Sequence, residues 1–382
     1  IGDARLDVAS LITHRFAFDD AVDAYRALTG DATALGIVLT YDAQVDAPRP
    51  VRSVVVPTAA SNGARPPGSA RLGIIGAGVY TNNTLLPALR AIGADVELLV
   101  GGGGGPAATA TRFGVGRLVG TPEELLADDR VDAVVIVTRH DSHAELVAAA
   151  LDAGKDVFVE KPLAIDADGL DLVVAAYERR RNDARVPIVG IGFNRRFSPI
   201  TTRMAAQLKG VPLPKFVTIT VNAGAMPSDH WTQAPSVGGG RIIGEACHFI
   251  DLARYLTGSP ITSTSSVELG GSGARDSAAI TLRHEDGSVS SINYLANGAK
   301  RFPKESVTVF AGGRVLVNEN FRTFRAYGGP RVRALRLLRQ DKGHRQGLQA
   351  FVAAVRGDAP YPIPFSELVE VTASTLAAAH PG

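Results

Sequence analysis

From Arg71 onward, short apolar runs alternate with segments of helical period. Leu72-Gly73-Ile74-Ile75-Gly76, Val96-Glu97-Leu98-Leu99-Val100, residues 131–137 and Asp156-Val157-Phe158-Val159-Glu160 read as buried strands. Residues 85–92, 107–113 and 143–153 read as helices between them, and Thr121-Pro122 opens a further short one as cap and first helical residue. Such alternation predicts a parallel sheet covered by helices on both faces. Past about Phe193 the period changes to two. Residues 216–222, 277–283, 289–295, 307–310 and 314–318 read as strands of a mostly antiparallel sheet, with turns at Asp286-Gly287 and Gly312-Gly313. Helices are expected at about 343–356 and 366–379. Ahead of Arg71, residues 18–28 read as an amphipathic helix and 35–41 as a strand. The prolines 48, 50, 57, 66 and 67 mark a linker over 44–70, with 51–56 as a short strand inside it. The spacing of Arg331, Arg333, Arg336 and Arg339 suggests a solvated helix face.

Composition narrows the class. The 382 residues are 45% apolar and 20% charged, a globular balance with material for about two and a half domains. A net charge of +2 gives no basic stripe for nucleic acid. No apolar run of about 18 residues suggests a membrane span. Ile1 to Asp7 lack the basic-then-apolar pattern of a leader, and the single cysteine fits a reducing cytoplasm. The opening Ile1 reads as a trimmed or partial chain. No CxxC pair exists, and Cys247, His248 and Asp251 have no further ligand cluster, so no metal is expected.

Gly76-x-Gly78 lies between an expected strand and helix. The first glycine permits the tight turn, the second lets a pyrophosphate approach the backbone, and Val79 and Tyr80 open the helix. Thr81 stands at the third position, where Gly or Ala is usual. The second strand runs into Gly101 to Gly105 with no terminal acid for a ribose, so NAD or NADP stays open; Arg112 is the nearest basic residue. The strand ending at Glu160 delivers Lys161-Pro162 to the crevice where such folds bind ligands, and a lysine there can hold a hydroxyl or pass a proton.

These pieces together resemble the Gfo/Idh/MocA family of NAD(P)-dependent sugar and cyclitol oxidoreductases. The resemblance rests on Gly73-Ile74-Ile75-Gly76-Ala77-Gly78, Gly154-Lys155 through Lys161-Pro162-Leu163, Gly192-Phe193-Asn194-Arg195-Arg196-Phe197, and Gly238-Gly239-Gly240 followed by His248-Phe249-Ile250-Asp251. It implies an α/β chain with a Rossmann dinucleotide-binding domain over 71–192. An α+β substrate-binding and oligomerisation domain with a large, mostly antiparallel open sheet would occupy 193–382. It implies Lys161 and His248 as catalytic residues, with Lys161 contacting both substrate and nicotinamide ribose and His248 near the reacting hydroxyl of the substrate, and Glu160 as an acid seating the cofactor beside Thr138, His140 and His143. Asn194, Arg195 and Arg196 would hold substrate, with Glu245, His230 and Trp231 as further candidates. A homodimer or homotetramer is expected.

The chain departs from the family at two places. Gly244 stands where an Asp is usual four residues before His248, and Thr138-Arg139-His140 stands for Thr-Pro-Asn. Residues 7–16 and 18–21 further resemble the tail of a medium-chain alcohol dehydrogenase. That points to a two-part subgroup, with 1–43 as the remnant of the other half. The implied activity is hydride transfer between nicotinamide and a hydroxyl carbon of a sugar, sugar acid, cyclitol or nucleotide sugar. Two alternatives stay open: redox-neutral elimination or cleavage with tightly held NAD, and a non-catalytic NAD(P)-sensing binding protein.

Overall fold

The structure, a computed structural model, describes residues 9–31, 33–41, 54–55, 70–101, 104–211, 214–270, 277–329 and 332–380. The chain divides into two units, Ile1–Pro50 and Val51–Gly382. In the first, β1 (His14–Ala17) and β2 (Ile37–Thr40) pair in parallel and α1 (Ala21–Gly30) connects them. Ala24 of α1 is buried, whereas Val22, Tyr25 and Leu28 are exposed. The prolines of the expected linker, together with Asp7 and Val8, lie outside the described residues.

In the second unit a seven-stranded sheet is ordered β3-β6-β5-β4-β7-β8-β9. Its strands are β3 (Val54–Val55), β4 (Arg71–Ile75), β5 (Asp95–Val100), β6 (Arg117–Val119), β7 (Ala133–Ile136), β8 (Asp156–Val159) and β9 (Val189–Ile191). All neighbours run parallel except β3, which meets β6 antiparallel. The helices α2 (Leu86–Ala91), α3 (Gly104–Phe113), α4 (Pro122–Leu126), α5 (His143–Asp152) and α6 (Ala167–Arg180) accompany it. From β4 the chain winds to one side through β5 and β6, then to the other through β7, β8 and β9. That reversal opens a crevice beyond the carboxyl ends of β4 and β7. Every residue of β7 and β8 is buried, which is why these strands read as continuous apolar runs.

After α7 (Pro199–Leu208) comes an eight-stranded sheet, ordered β11-β12-β13-β10-β14-β15-β16-β17. It comprises β10 (Phe216–Asn222), β11 (Ile261–Glu268), β12 (Ala278–His284), β13 (Val289–Leu295), β14 (Glu305–Ala311), β15 (Arg314–Glu319), β16 (Thr323–Tyr327) and β17 (Leu335–Arg336). Only β10 and β13 pair in parallel. One face packs on α8 (Cys247–Thr257), whose Phe249, Ile250 and Leu252 share a core with Ile219, Ile280 and Ile292. The helices α9 (His344–Arg356) and α10 (Phe365–Ala379) close the chain. No helix among the described residues is long and apolar enough to cross a membrane.

One expectation needs correction. Arg333, Arg336 and Arg339 lie on no helix. Leu335 and Leu337 alternate onto the core while Leu338 is 95% exposed, a period of two that suits β17 and forms no helical stripe. Arg331 is outside the described residues.

Candidate active site

The crevice is built by chain turns at the ends of three adjacent strands. Gly76 follows β4 with φ +113°, and a side chain there would sit 2.7 Å from the Val137 carbonyl at the end of β7. Glycine therefore allows the two strand ends to close against each other. A Cβ at Gly78, by contrast, would meet open space, the room a phosphate needs. Val79 begins the helix and is 77% exposed. Thr81 ties the turn by donating to the Gly76 carbonyl at 2.7 Å, and the helix passes through a π turn at Thr81–Leu85 before α2. The glycine turn, the helix start and the switch-point crevice fit a dinucleotide. Asp95 and Glu97 sit in the first half of β5, away from its carboxyl end, and Arg112 stacks over Phe113 at 5.0 Å.

A cleft of about 360 Å³ opens at this place. Tyr80, Thr138, Glu160 and Lys161 line it from the parallel sheet; Asn194, Arg195, Trp231 and His248 come from the following segments. The Tyr80 hydroxyl donates to Glu160 at 2.7 Å. Burial pushes the Glu160 carboxyl above its ordinary range, with Tyr80 and Lys161 opposing. Lys161 precedes a cis peptide to Pro162, and its ammonium donates to the Gly244 carbonyl at 2.5 Å.

Gly244 also explains a second feature. A Cβ there would lie 2.9 Å from Cε1 of His140, so the imidazole occupies the volume a larger residue would need. His140 Nδ1 is 2.8 Å from the Gly238 carbonyl. A carbonyl only accepts, so Nδ1 carries the proton. Burial, then Lys161, push this histidine down to about 3, so it is neutral and Nε2 is an acceptor. The ring is further braced edge-on by Trp231 at 4.8 Å. The two departures read in the sequence, His140 and Gly244, are thus one packing arrangement.

His248 is 7% exposed, and its Nδ1 is buried without a partner among the described residues. Burial first, then Arg195 and Lys161, hold its pKa well below the usual value, so it too is neutral. Arg195 donates to Glu305 at 2.7 Å and stacks over Phe249 at 4.7 Å while still lining the cleft.

Four expected site residues are placed elsewhere or otherwise employed. Arg196, 4% exposed, turns inward to Asp251 and Glu367 and cannot reach a substrate. Glu245 accepts from Tyr294 at 2.6 Å and faces Arg241. Burial raises its carboxyl, but Tyr294, Arg241, Lys161 and Lys304 together oppose it and hold it below the ordinary range. His230 accepts from the Thr232 backbone and caps the turn Trp231–Gln233 without lining the cleft. His143 also lines the cleft but is fully buried, with Nδ1 donating to the Pro162 carbonyl at 2.7 Å, so it braces the Lys161-Pro162 turn. Three lining residues were not expected in the site: Val137 at the end of β7, and Lys342 and His344 at the start of α9. Lys342 donates to Glu305 at 2.9 Å, and its backbone carbonyl accepts from Asn194 at 2.7 Å. No group of metal-binding side chains occurs among the described residues.

Residues 70–191 match the family described as "Oxidoreductase family, NAD-binding Rossmann fold", and 214–311 match the "GFO/IDH/MocA C-terminal domain". The chain belongs to the Gfo/Idh/MocA oxidoreductases. It is 29% identical over 300 residues to an inositol 2-dehydrogenase of Paenarthrobacter aurescens, covering 75% of this chain and 88% of that enzyme. A myo-inositol 2-dehydrogenase of Thermotoga maritima is 28% identical over 216 residues. That match takes in 54% of this chain and spans 62% of the Thermotoga enzyme. The fold is shared with an oxidoreductase domain protein from Kribbella flavida, at a TM-score of 0.71 and 19% identity over 81% of this chain and 96% of that one.

The histidines of this Gfo/Idh/MocA cleft carry a consequence for stability. His140 is lowered from 6.5 to about 3 and His344 from 6.5 to about 4, burial being the first cause of each. Between those values and 6.5 the unfolded chain binds more protons than the folded one, so stability falls as pH drops. The expected slope is about 1.4 kcal/mol per pH unit for each histidine. Denaturant midpoints measured from pH 7 to pH 4 should decline, and His140→Asn should flatten the decline. Equal slopes for wild type and variant would refute this.

Proposed function

We propose that the chain is an NAD(P)-dependent dehydrogenase acting on a CH–OH group of a sugar, sugar acid, cyclitol or nucleotide sugar. The observation that carries this is the meeting of Lys161, His140 and His248 in one cleft beside the Gly76–Gly78 turn. Bound nicotinamide would supply the hydride acceptor or donor. The cofactor is seated by the backbone at Gly76 and Gly78, with Val79, Tyr80, Thr138 and Glu160 around it. Lys161 holds the reacting hydroxyl through its ammonium, and neutral His248 takes up or returns the hydroxyl proton. Unprotonated Nε2 of His140 accepts from a neighbouring hydroxyl and so orients the carbinol carbon.

Within this reading, residues 71–192 bind the cofactor and 193–382 the substrate. Residues 1–43 are the tail of an alcohol-dehydrogenase-like half, joined by the 44–70 linker. The outer face of the eight-stranded sheet, where Phe216, Phe310 and Tyr327 are exposed, suits a homodimer or homotetramer.

The test is a thermal-shift measurement with NAD and with NADP, followed by assay of cofactor reduction against inositols, aldoses, uronic acids and nucleotide sugars. One dinucleotide should raise the melting temperature, as any ligand of the folded state does. Absence of a shift with both would overturn the proposal.

A further inference from the structure

The cleft wall is unbalanced in charge. Three cations line it, Lys161, Arg195 and Lys342, against one carboxyl, Glu160. Glu160 is engaged by the Tyr80 hydroxyl. Behind the lining, Glu305 is buried at 1% exposure, and Arg195 and Lys342 converge on its single oxygen Oε1, at 2.7 and 2.9 Å. One carboxylate therefore serves two cations. Lys342 keeps donors beyond the one given to Glu305, and Arg195 keeps most of its five. Arg195 Nε is buried without a partner among the described residues. Gly244, beside Lys161, carries no acid itself, and the neighbouring Glu245 is held by Tyr294 and Arg241. A low-dielectric cleft focuses such an excess on whatever enters it.

We propose that the substrate carries an anionic group, carboxylate or phosphate, seated against Lys342 and Arg195 while its reacting hydroxyl lies at Lys161. The inference rests on the dehydrogenase reading and narrows its substrate class. His344, beside Lys342 on the same wall, is a neutral partner for the substrate's hydroxyls.

Calorimetric titration of the chain saturated with NADH tests it, using D-glucuronate, D-glucose 6-phosphate and D-glucose as probes. At least one anionic sugar should bind about tenfold or more tightly than glucose, and whichever binds better names the group as carboxylate or phosphate. Lys342→Met should remove that advantage, weakening the anionic sugar about tenfold more than glucose, while Lys342→Arg, which keeps the charge, should retain most of it. Glucose binding as tightly as both anions overturns the proposal. So does failure of both anions to bind, or equal weakening of all three sugars by Lys342→Met. The dehydrogenase reading fails separately, if bound sugars reduce neither NAD nor NADP.

Discussion

Lys161→Met should lower turnover about 10³-fold while leaving dinucleotide affinity within a few-fold of wild type. The lysine is carried on the carboxyl end of β8, a strand buried at every position, so its backbone is held by the sheet. His143 braces the turn behind it through the Pro162 carbonyl, and Gly244 accepts from its ammonium. Methionine keeps the length and the apolar stem but removes three donors and the charge. The Gly76–Gly78 turn is untouched, so the cofactor should still bind. Lys161→Arg should not rescue, because a planar fork cannot occupy the place of a compact ammonium. Steady-state kinetics with saturating cofactor, together with NADH titration, make the check. A loss below tenfold, or a parallel loss of cofactor binding, would remove Lys161 from the chemistry.

The same residue shows what sequence alone reveals. Lys161 was legible because its position depends on local pattern: an apolar strand, then the first polar residues beyond it. β7 and β8 were legible for the same reason. β11, Ile-Thr-Ser-Thr-Ser-Ser-Val-Glu, was not, because it forms the sheet's edge and alternates partly buried and exposed positions with few apolar residues to mark them. Lys342 and His344 were hidden differently. They lie almost 150 residues from Asn194 in the chain and reach the cleft only because the Lys342 carbonyl docks on the Asn194 amide and its ammonium on Glu305. Gly244 looked like a missing acid. Its meaning emerged only with the His140 imidazole lying over it, a contact across more than a hundred residues.

Arg196→Met should cost about 3–5 kcal/mol, the usual consequence of leaving buried carboxylates unpaired. That should lower the melting temperature by roughly 5–10 °C. Arg195 and Arg196 are adjacent on one short turn, Asn194–Phe197, so they point in different directions and divide the work. Arg195 faces the cleft. Arg196 contacts both oxygens of Asp251, with Nε donating at 3.0 Å, and reaches Glu367 at 2.7 Å. The guanidinium thus clasps α8, which carries His248, to α10. Asp251 is fully buried, and burial outweighs Arg196 to push its carboxyl up to about 6 from 3.8. Without the guanidinium it should rise further. A raised carboxyl binds its proton more tightly folded than unfolded, so acidification relieves the cost of its charge. The deficit of Arg196→Met should therefore be largest at pH 7 and shrink toward pH 5, against the histidine trend that lowers wild-type stability over the same interval. Melts of both proteins at the two pH values decide the matter. A deficit that is small, or that grows on acidification, would mean that Asp251 does not depend on Arg196 for its charge.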